Sequence, residues 1–211
     1  MVDPTKITNY NQTQAQLEET LLFWVCAAGK NGVTAARCLE SLLSAWREPA
    51  KRGPLKLNPS PFGIIRYAHR YLTQNKLGTL AEEMKKHGIG CYNAKAKTFL
   101  HLCAEYEGSC GLYMDLKKCD VEDLESVPGI GPKTARCFLI HSRPKQQYAG
   151  LDTHILKFLR DKGHEVPIST PPGRKYRELE QIFLKYVAES GETVADFDLA
   201  IWNDYRNRKA S

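Results

Sequence analysis

No C-x-x-C pair occurs in this chain. Its seven cysteines (Cys26, Cys38, Cys91, Cys103, Cys110, Cys119 and Cys137) stand at scattered spacings, and none combines with the six histidines in a zinc-ligand pattern. No metal site is therefore expected. The odd count points to reduced, structural thiols rather than a disulfide framework. Long apolar runs are missing too: the longest, 21–28, is far short of the roughly 20 residues that span a bilayer. The opening stretch MVDPTKITNYNQTQ has neither a basic n-region nor an apolar h-region, so an intracellular location is expected, cytoplasmic and nucleoid-associated or nuclear. There is no low-complexity segment, and no period-2 alternation long enough to claim a sheet.

What is present is helical. The chain has 211 residues, 42% of them hydrophobic and 26% charged, enough for one sizeable domain or two small subdomains. Apolar residues at helical spacing predict helices over 17–28, 33–46, 63–75, 78–87, 93–106, 120–126, 132–142, 153–162, 173–190 and 194–206. Thr193 suits the N-cap of the last helix, and Gly163 and Gly191 suit helix stops. Residues 47–61, with Pro49, Pro54, Pro59 and Pro61 among basic side chains, read as a loop. The expected fold is all-α, in two helical lobes.

Two short segments carry the chemistry. Val127-Pro128-Gly129-Ile130-Gly131-Pro132-Lys133-Thr134-Ala135 reads as a glycine hairpin feeding a helix, with Pro132 at the first helical position. Glycines there allow a sharp turn and leave backbone N–H groups exposed. The helix N-terminus behind them adds partial positive charge, which suits a phosphate. Lys133 follows Pro132 rather than a glycine, so this is no Walker A loop. Leu151-Asp152-Thr153-His154 places Asp152 before another helix, in the position of an N-cap. Taken singly, such a turn joins two helices as often as it binds phosphate, Lys133 is a solvated lysine and Asp152 an ordinary cap.

Together the segments resemble the helix-hairpin-helix (HhH-GPD) DNA glycosylases of the endonuclease III and 8-oxoguanine glycosylase superfamily. That family carries a P-G-V/I-G-x-K hairpin followed about twenty residues later by an Asp in a V/L-D-x-H context. Here the Lys and the Asp are nineteen positions apart. Upstream, Gly88-Ile89-Gly90-Cys91-Tyr92-Asn93-Ala94-Lys95-Ala96 looks like the G-x-Y-N-x-K-A segment that precedes the hairpin in endonuclease III. The resemblance covers most of residues 20–160. It implies a central lobe over approximately 31–146 and a second lobe from approximately 1–30 plus 147–211, with the hairpin and Asp152 at the cleft. It also implies DNA contacts from Gly129, Ile130, Gly131, Thr134, Gly90, Tyr92, Asn93 and Lys95, and leaves room for a monovalent cation at the hairpin carbonyls. No cofactor is expected to be required. The four-cysteine iron–sulfur motif of endonuclease III has no counterpart, because no cysteine follows Cys137. That leaves the cluster-free branches, which include 8-oxoguanine glycosylases.

The implied reaction is excision of a damaged base, with Lys133 as amine nucleophile and Asp152 stabilising the charge that develops at C1′. The target base must first be extruded from the duplex. A free lysine titrates near about 10.4, so the attacking amine must lose its proton to burial and the helix dipole, or pass it to the departing base. Gly29, Phe23, Trp24 and Trp202, with Tyr205, are candidates for the base pocket, although aromatics on helices are more often core. Gly29 could offer a carbonyl to the N7–H that marks 8-oxoguanine, and Phe197-Asp198-Leu199-Ala200-Ile201-Trp202 resembles the tail of small 8-oxoguanine glycosylases. The net charge of +6 suits a polyanionic partner. Basic residues cluster at Arg47, Lys51, Arg52 and Lys56, at Lys85, Lys86, Lys95 and Lys97, and at Lys133, Arg136, Arg143 and Lys145. The expected partner is double-stranded DNA holding a damaged base or abasic site, bound by a monomer. Two alternatives stay open: a monofunctional glycosylase for another lesion, and a non-catalytic helix-hairpin-helix DNA-binding protein.

Overall fold

A computed structural model of the chain describes residues 1–52, 59–103 and 114–207. Lys56, Cys110, much of the loop expected at 47–61, the last turn expected of helix 93–106 and the tail from Arg208 to Ser211 lie outside the described residues. Every regular element among those described is an α-helix: α1 (Gln14–Ala27), α2 (Gly32–Arg52), α3 (Pro61–Gln74), α4 (Leu80–Lys86), α5 (Tyr92–Leu102), α6 (Val121–Glu125), α7 (Pro132–Ser142), α8 (Thr153–Asp161), α9 (Gly173–Ser190) and α10 (Val194–Asn207). The fold is all-α, as the periodicity predicts. None of these helices is long and apolar enough to cross a membrane.

Local chemistry explains most boundaries. Thr13 and Gln16 form a capping box at the start of α1, and Thr79 and Glu82 another at α4. Thr193 Oγ1 accepts from Asp196 N, capping α10. Gly163 and Gly191 both take positive φ just past α8 and α9, and His164 N reaches back to Leu159 O at 3.1 Å, a Schellman-type stop. α2 departs from expectation: it continues through Pro49 to Arg52, six residues beyond the predicted end at 46. Proline there removes one intrahelical hydrogen bond, the one to the carbonyl of Ala45, in the last turn of the helix. Burial of Ala50 rewards the extra turn.

The chain forms two compact units. One comprises Met1–Pro4 and Gln12–Ile130, the other Thr5–Asn11 and Gly131–Ser211. These bounds differ from the expected 31–146 against 1–30 plus 147–211. α1 packs on α2, α3 and α5. Leu21, Leu22, Phe23, Val25, Cys26 and Ala27 are all buried, so the second half of α1 is apolar almost all round and sits centrally in its unit. The buried Glu18 carboxylate of α1 accepts from Phe62 N at 3.0 Å, satisfying an orphan N–H at the positive end of α3. α7 belongs with the later helices, because Ile140 shares a core with Leu151, Leu156, Tyr176, Leu179 and Phe183. Around that core Phe158, Phe183 and Phe197 pack with ring centroids 5.6–6.2 Å apart.

Candidate functional site

The glycine hairpin lies where the chain passes from one unit to the other. Ile130 N closes a turn onto Val127 O at 3.0 Å, and Gly129 takes φ +92°, a region that favours glycine. Thr98 of α5 donates to Pro128 O at 2.9 Å, and an added Cβ at Gly129 would overlap the Thr98 hydroxyl. Both backbone angle and packing therefore require glycine at 129. Gly131 is different. Its φ of −98° is ordinary extended backbone, and a Cβ there would meet nothing within 4 Å. The sharp turn expected of both glycines is made by Gly129 alone, and Gly131 leaves an open approach to the start of α7. Ile130 is buried with its N–H inside the turn, which leaves its carbonyl for any outside contact.

Gly131 is the N-cap of α7 and supplies no side-chain cap, so no side chain of the cap residue satisfies the first N–H groups of this helix. Pro132 occupies the first helical position and Lys133 the second. Among the described residues none hydrogen-bonds or ion-pairs with the half-buried Lys133 side chain. Thr134 is buried behind it.

Asp152 is the N-cap of α8, as its place in the sequence predicts. Its Oδ1 accepts from His154 N at 2.7 Å and Ile155 N at 2.9 Å, which leaves Oδ2 outside the cap. The segment before it lies directly against α7: a Cβ on Gly150 would overlap Cys137 Sγ, and Cys137 sits one turn after Lys133. Burial pushes the Cys137 thiol far up, while Lys133 draws it down and Asp198 and Asp152 raise it further. Burial also raises the Asp198 carboxyl, against the pull of His141; Asp152 raises it and Lys133 lowers it.

Sequence reasoning did not find Asp198 or its partner. His141 Nε2 is 3.2 Å from Asp198 Oδ2, and its Nδ1 is 2.8 Å from Thr8 Oγ1. The ring is completely buried, held between a hydroxyl and a carboxylate. An aspartate alone on the otherwise apolar turn Phe197-Asp198-Leu199-Ala200-Ile201 was the available signal.

In the other unit, the Gly90, Tyr92 and Asn93 segment starts α5. Cys91 is its N-cap in the left-handed region with no side-chain cap, Asn93 is exposed, and the Lys85 ammonium stands 5.6 Å from the Tyr92 ring centre. Lys95, expected to contact DNA, is buried. Its ammonium donates to Cys26 O at 2.8 Å and Ala28 O at 2.9 Å, closing the C-terminal carbonyls of α1, and burial lowers its proton affinity. Arg136, read as part of a basic flank, is also buried and donates to Glu180 at 2.8 Å. These two cations are structural because each has a carbonyl or carboxylate partner inside its unit.

Of the pocket candidates, Phe23 is core at 1% exposure, edge-on to Trp24 at 5.0 Å. Gly29 is exposed, with φ +71° and open space around it. Trp202 lies on α10 edge-on to His154 at 6.5 Å, with Tyr205 6.4 Å from the same ring. No group of three or more His, Cys, Asp or Glu side chains that could hold a metal is found among the described residues.

Compared with known protein families, residues 114–141 match the helix-hairpin-helix motif. The match takes in α6, the glycine hairpin, Lys133 and nearly all of α7, and stops before Asp152. No solved structure matches the chain. A helix-hairpin-helix motif is compatible with DNA binding and with DNA-processing enzymes.

Proposed function

We propose that this protein is a bifunctional DNA glycosylase/AP lyase that excises a damaged base and nicks the strand by β-elimination. One observation carries the reading. Lys133, uncommitted among the described residues and just inside an uncapped helix N-terminus, stands one turn before Cys137, against which Gly150, two residues before Asp152, is packed. A DNA-binding hairpin needs glycines and basic residues, but gains nothing from a lysine and a carboxylate held in that relation.

In this reading the uncapped N–H groups at the start of α7 take a backbone phosphate, which fixes position without reading sequence. The damaged nucleotide is extruded. The Lys133 amine, without its proton, forms a bond to C1′ as the bond from C1′ to the base breaks; the base leaves with the electron pair and takes up a proton. Asp152 stabilises the positive charge on the sugar through the oxygen left outside its cap. Breaking the C1′–O4′ bond then yields the Schiff base. Loss of a C2′ proton expels the 3′ phosphate, and water releases the enzyme. An oxidised purine, 8-oxoguanine first, is the substrate class. Exposed Gly29 and the Phe197 to Trp202 segment support that choice, and Trp202 lies beside His154. DNA with a damaged base or abasic site is the partner, a monomer the working form and the cell interior its location; no cofactor is required.

The test is incubation with abasic-site DNA and borohydride, which reduces a Schiff base to a permanent link. Wild type is expected to be trapped and to nick, and Lys133→Gln to do neither while binding DNA within a few-fold of wild type. Trapping that persists in Lys133→Gln removes Lys133 as nucleophile. Base excision without trapping in wild type favours a monofunctional enzyme, and DNA binding without either favours a non-catalytic binder.

A further inference from the structure

Arg136 is three residues after Lys133 on α7, and its guanidinium Nε donates to Glu180 Oε1 of α9 at 2.8 Å. The same Glu180 oxygen accepts from Ala149 N at 2.9 Å. Tyr176, one turn earlier on α9, donates its hydroxyl to Ala149 O at 2.6 Å and accepts from Leu151 N at 3.1 Å. Thr170 Oγ1 donates to Leu151 O at 2.8 Å. The Arg136 guanidinium also stands 4.9 Å from the Tyr176 ring centre, within cation–π range. Residues 149–151 belong to no helix, yet their backbone groups at Ala149 and Leu151 are all held by side chains from α9 and the loop before it. Asp152 follows immediately.

We propose that Glu180 and Tyr176 are positioning residues: they tie the segment carrying Asp152 to the helix carrying Lys133, and so set the distance between the two reacting groups. This rests on the glycosylase reading above. A buried ion pair is weak evidence for stability, since well-packed apolar residues hold a core as well or better. What Glu180 adds is direction, because one oxygen receives both α7 and the 149–151 segment. Gly150 serves the same end. Without a side chain it lets this segment settle against Cys137, while the hydrogen bonds on either side stop it sliding along the helix. Placement matters this much because a misplacement of about 1 Å can cost on the order of a hundredfold in rate.

The experiment measures single-turnover base excision on the lesion wild type cuts fastest, using Tyr176→Phe, Glu180→Gln and Thr170→Val, each alone and with Asp152→Asn. Thermal melting and DNA affinity are read alongside, and Thr170→Val is the mildest change should the buried variants fold poorly. Tyr176→Phe and Glu180→Gln are expected to slow excision at least tenfold, and Thr170→Val less, with DNA affinity within about threefold of wild type. In the Asp152→Asn background the same changes should slow it no further than about twofold, because their effect runs through Asp152. Rates within threefold of wild type, or losses that multiply with Asp152→Asn, overturn the proposal and leave the glycosylase reading standing. A wild-type protein that neither excises nor is trapped overturns both.

Discussion

Gly150 and Cys137 occupy space that admits no further atom between them. An ideal Cβ on Gly150 would overlap Cys137 Sγ and stand 3.5 Å from both the Cys137 Cβ and its backbone nitrogen. The approach brings a segment two residues from Asp152 onto the face of α7 one turn past Lys133. Gly150→Ala should therefore destabilise the fold, by about 1–3 kcal/mol as overpacked cores do. Cys137→Ala removes the sulfur and leaves only ordinary contacts, so the double variant should recover most of the loss. A double-variant melting temperature no higher than that of Gly150→Ala would show that the two positions do not meet.

Gly129 and Gly131 should respond oppositely to alanine. At Gly129 the positive φ and the Thr98 hydroxyl both oppose a side chain, so Gly129→Ala should cost about 2 kcal/mol or more. At Gly131 the backbone is extended and the space is open, so Gly131→Ala should alter stability by less than about 0.5 kcal/mol. Its effect should appear in DNA binding, weakened about equally on unrelated duplexes because the N–H groups there carry no base information. Chemical denaturation and binding titrations on two sequences check both halves. Equal destabilisation by the two changes, or a binding loss at one sequence only, would contradict this account of the hairpin.

Asp152 has two roles that one substitution separates. Asparagine caps a helix nearly as well as aspartate, within a few tenths of a kcal/mol, and its side-chain oxygen can take the place of Oδ1 toward His154 N and Ile155 N. The charge on the outer oxygen is lost. Asp152→Asn should melt within a few degrees of wild type and excise about 10²–10⁴-fold more slowly, the range of charge-assisted catalytic groups. A near-wild-type single-turnover rate would reduce Asp152 to a cap.

The elements that were legible in the sequence are those whose causes are local. The starts of α7, α8 and α10 and the ends of α8 and α9 follow from Pro132, Asp152, Thr193, Gly163 and Gly191, each acting within one turn of its own position. Side-chain fate was not legible, because it is decided across the chain. Lys95 reads as one more basic residue beside a glycine turn. Its carbonyl partners at Cys26 and Ala28 are 69 and 67 positions away. Arg136 is claimed by Glu180, 44 positions on, and His141 by Asp198, 57 positions on. α1 likewise turns apolar from Leu21 onward, but only tertiary packing reveals that it is central to the first unit. Pro49 misled in the opposite direction: the local rule was sound, and the burial of Ala50 outweighed it.

Asp198 makes the stability of this protein depend on pH in an unusual direction. Desolvation raises its carboxyl above the ordinary value of 3.8, reinforced by Asp152 and opposed by His141 and Lys133. A carboxyl raised in the folded state binds its proton more tightly there than when unfolded. As pH climbs from near 3.8 through the raised folded value, the folded state therefore loses ground, and above that value the loss is constant. Each tenfold difference in proton affinity between the two states is worth about 1.4 kcal/mol. Asp198→Asn keeps an acceptor for His141 and removes the desolvated charge. The variant should match or fall slightly below wild type near pH 4 and exceed it at pH 7, with the gap opening between. Denaturation midpoints measured in parallel across that range decide the matter. If wild type instead gains on the Asp198→Asn variant as pH rises, the His141–Asp198 pair outweighs the burial of the carboxylate.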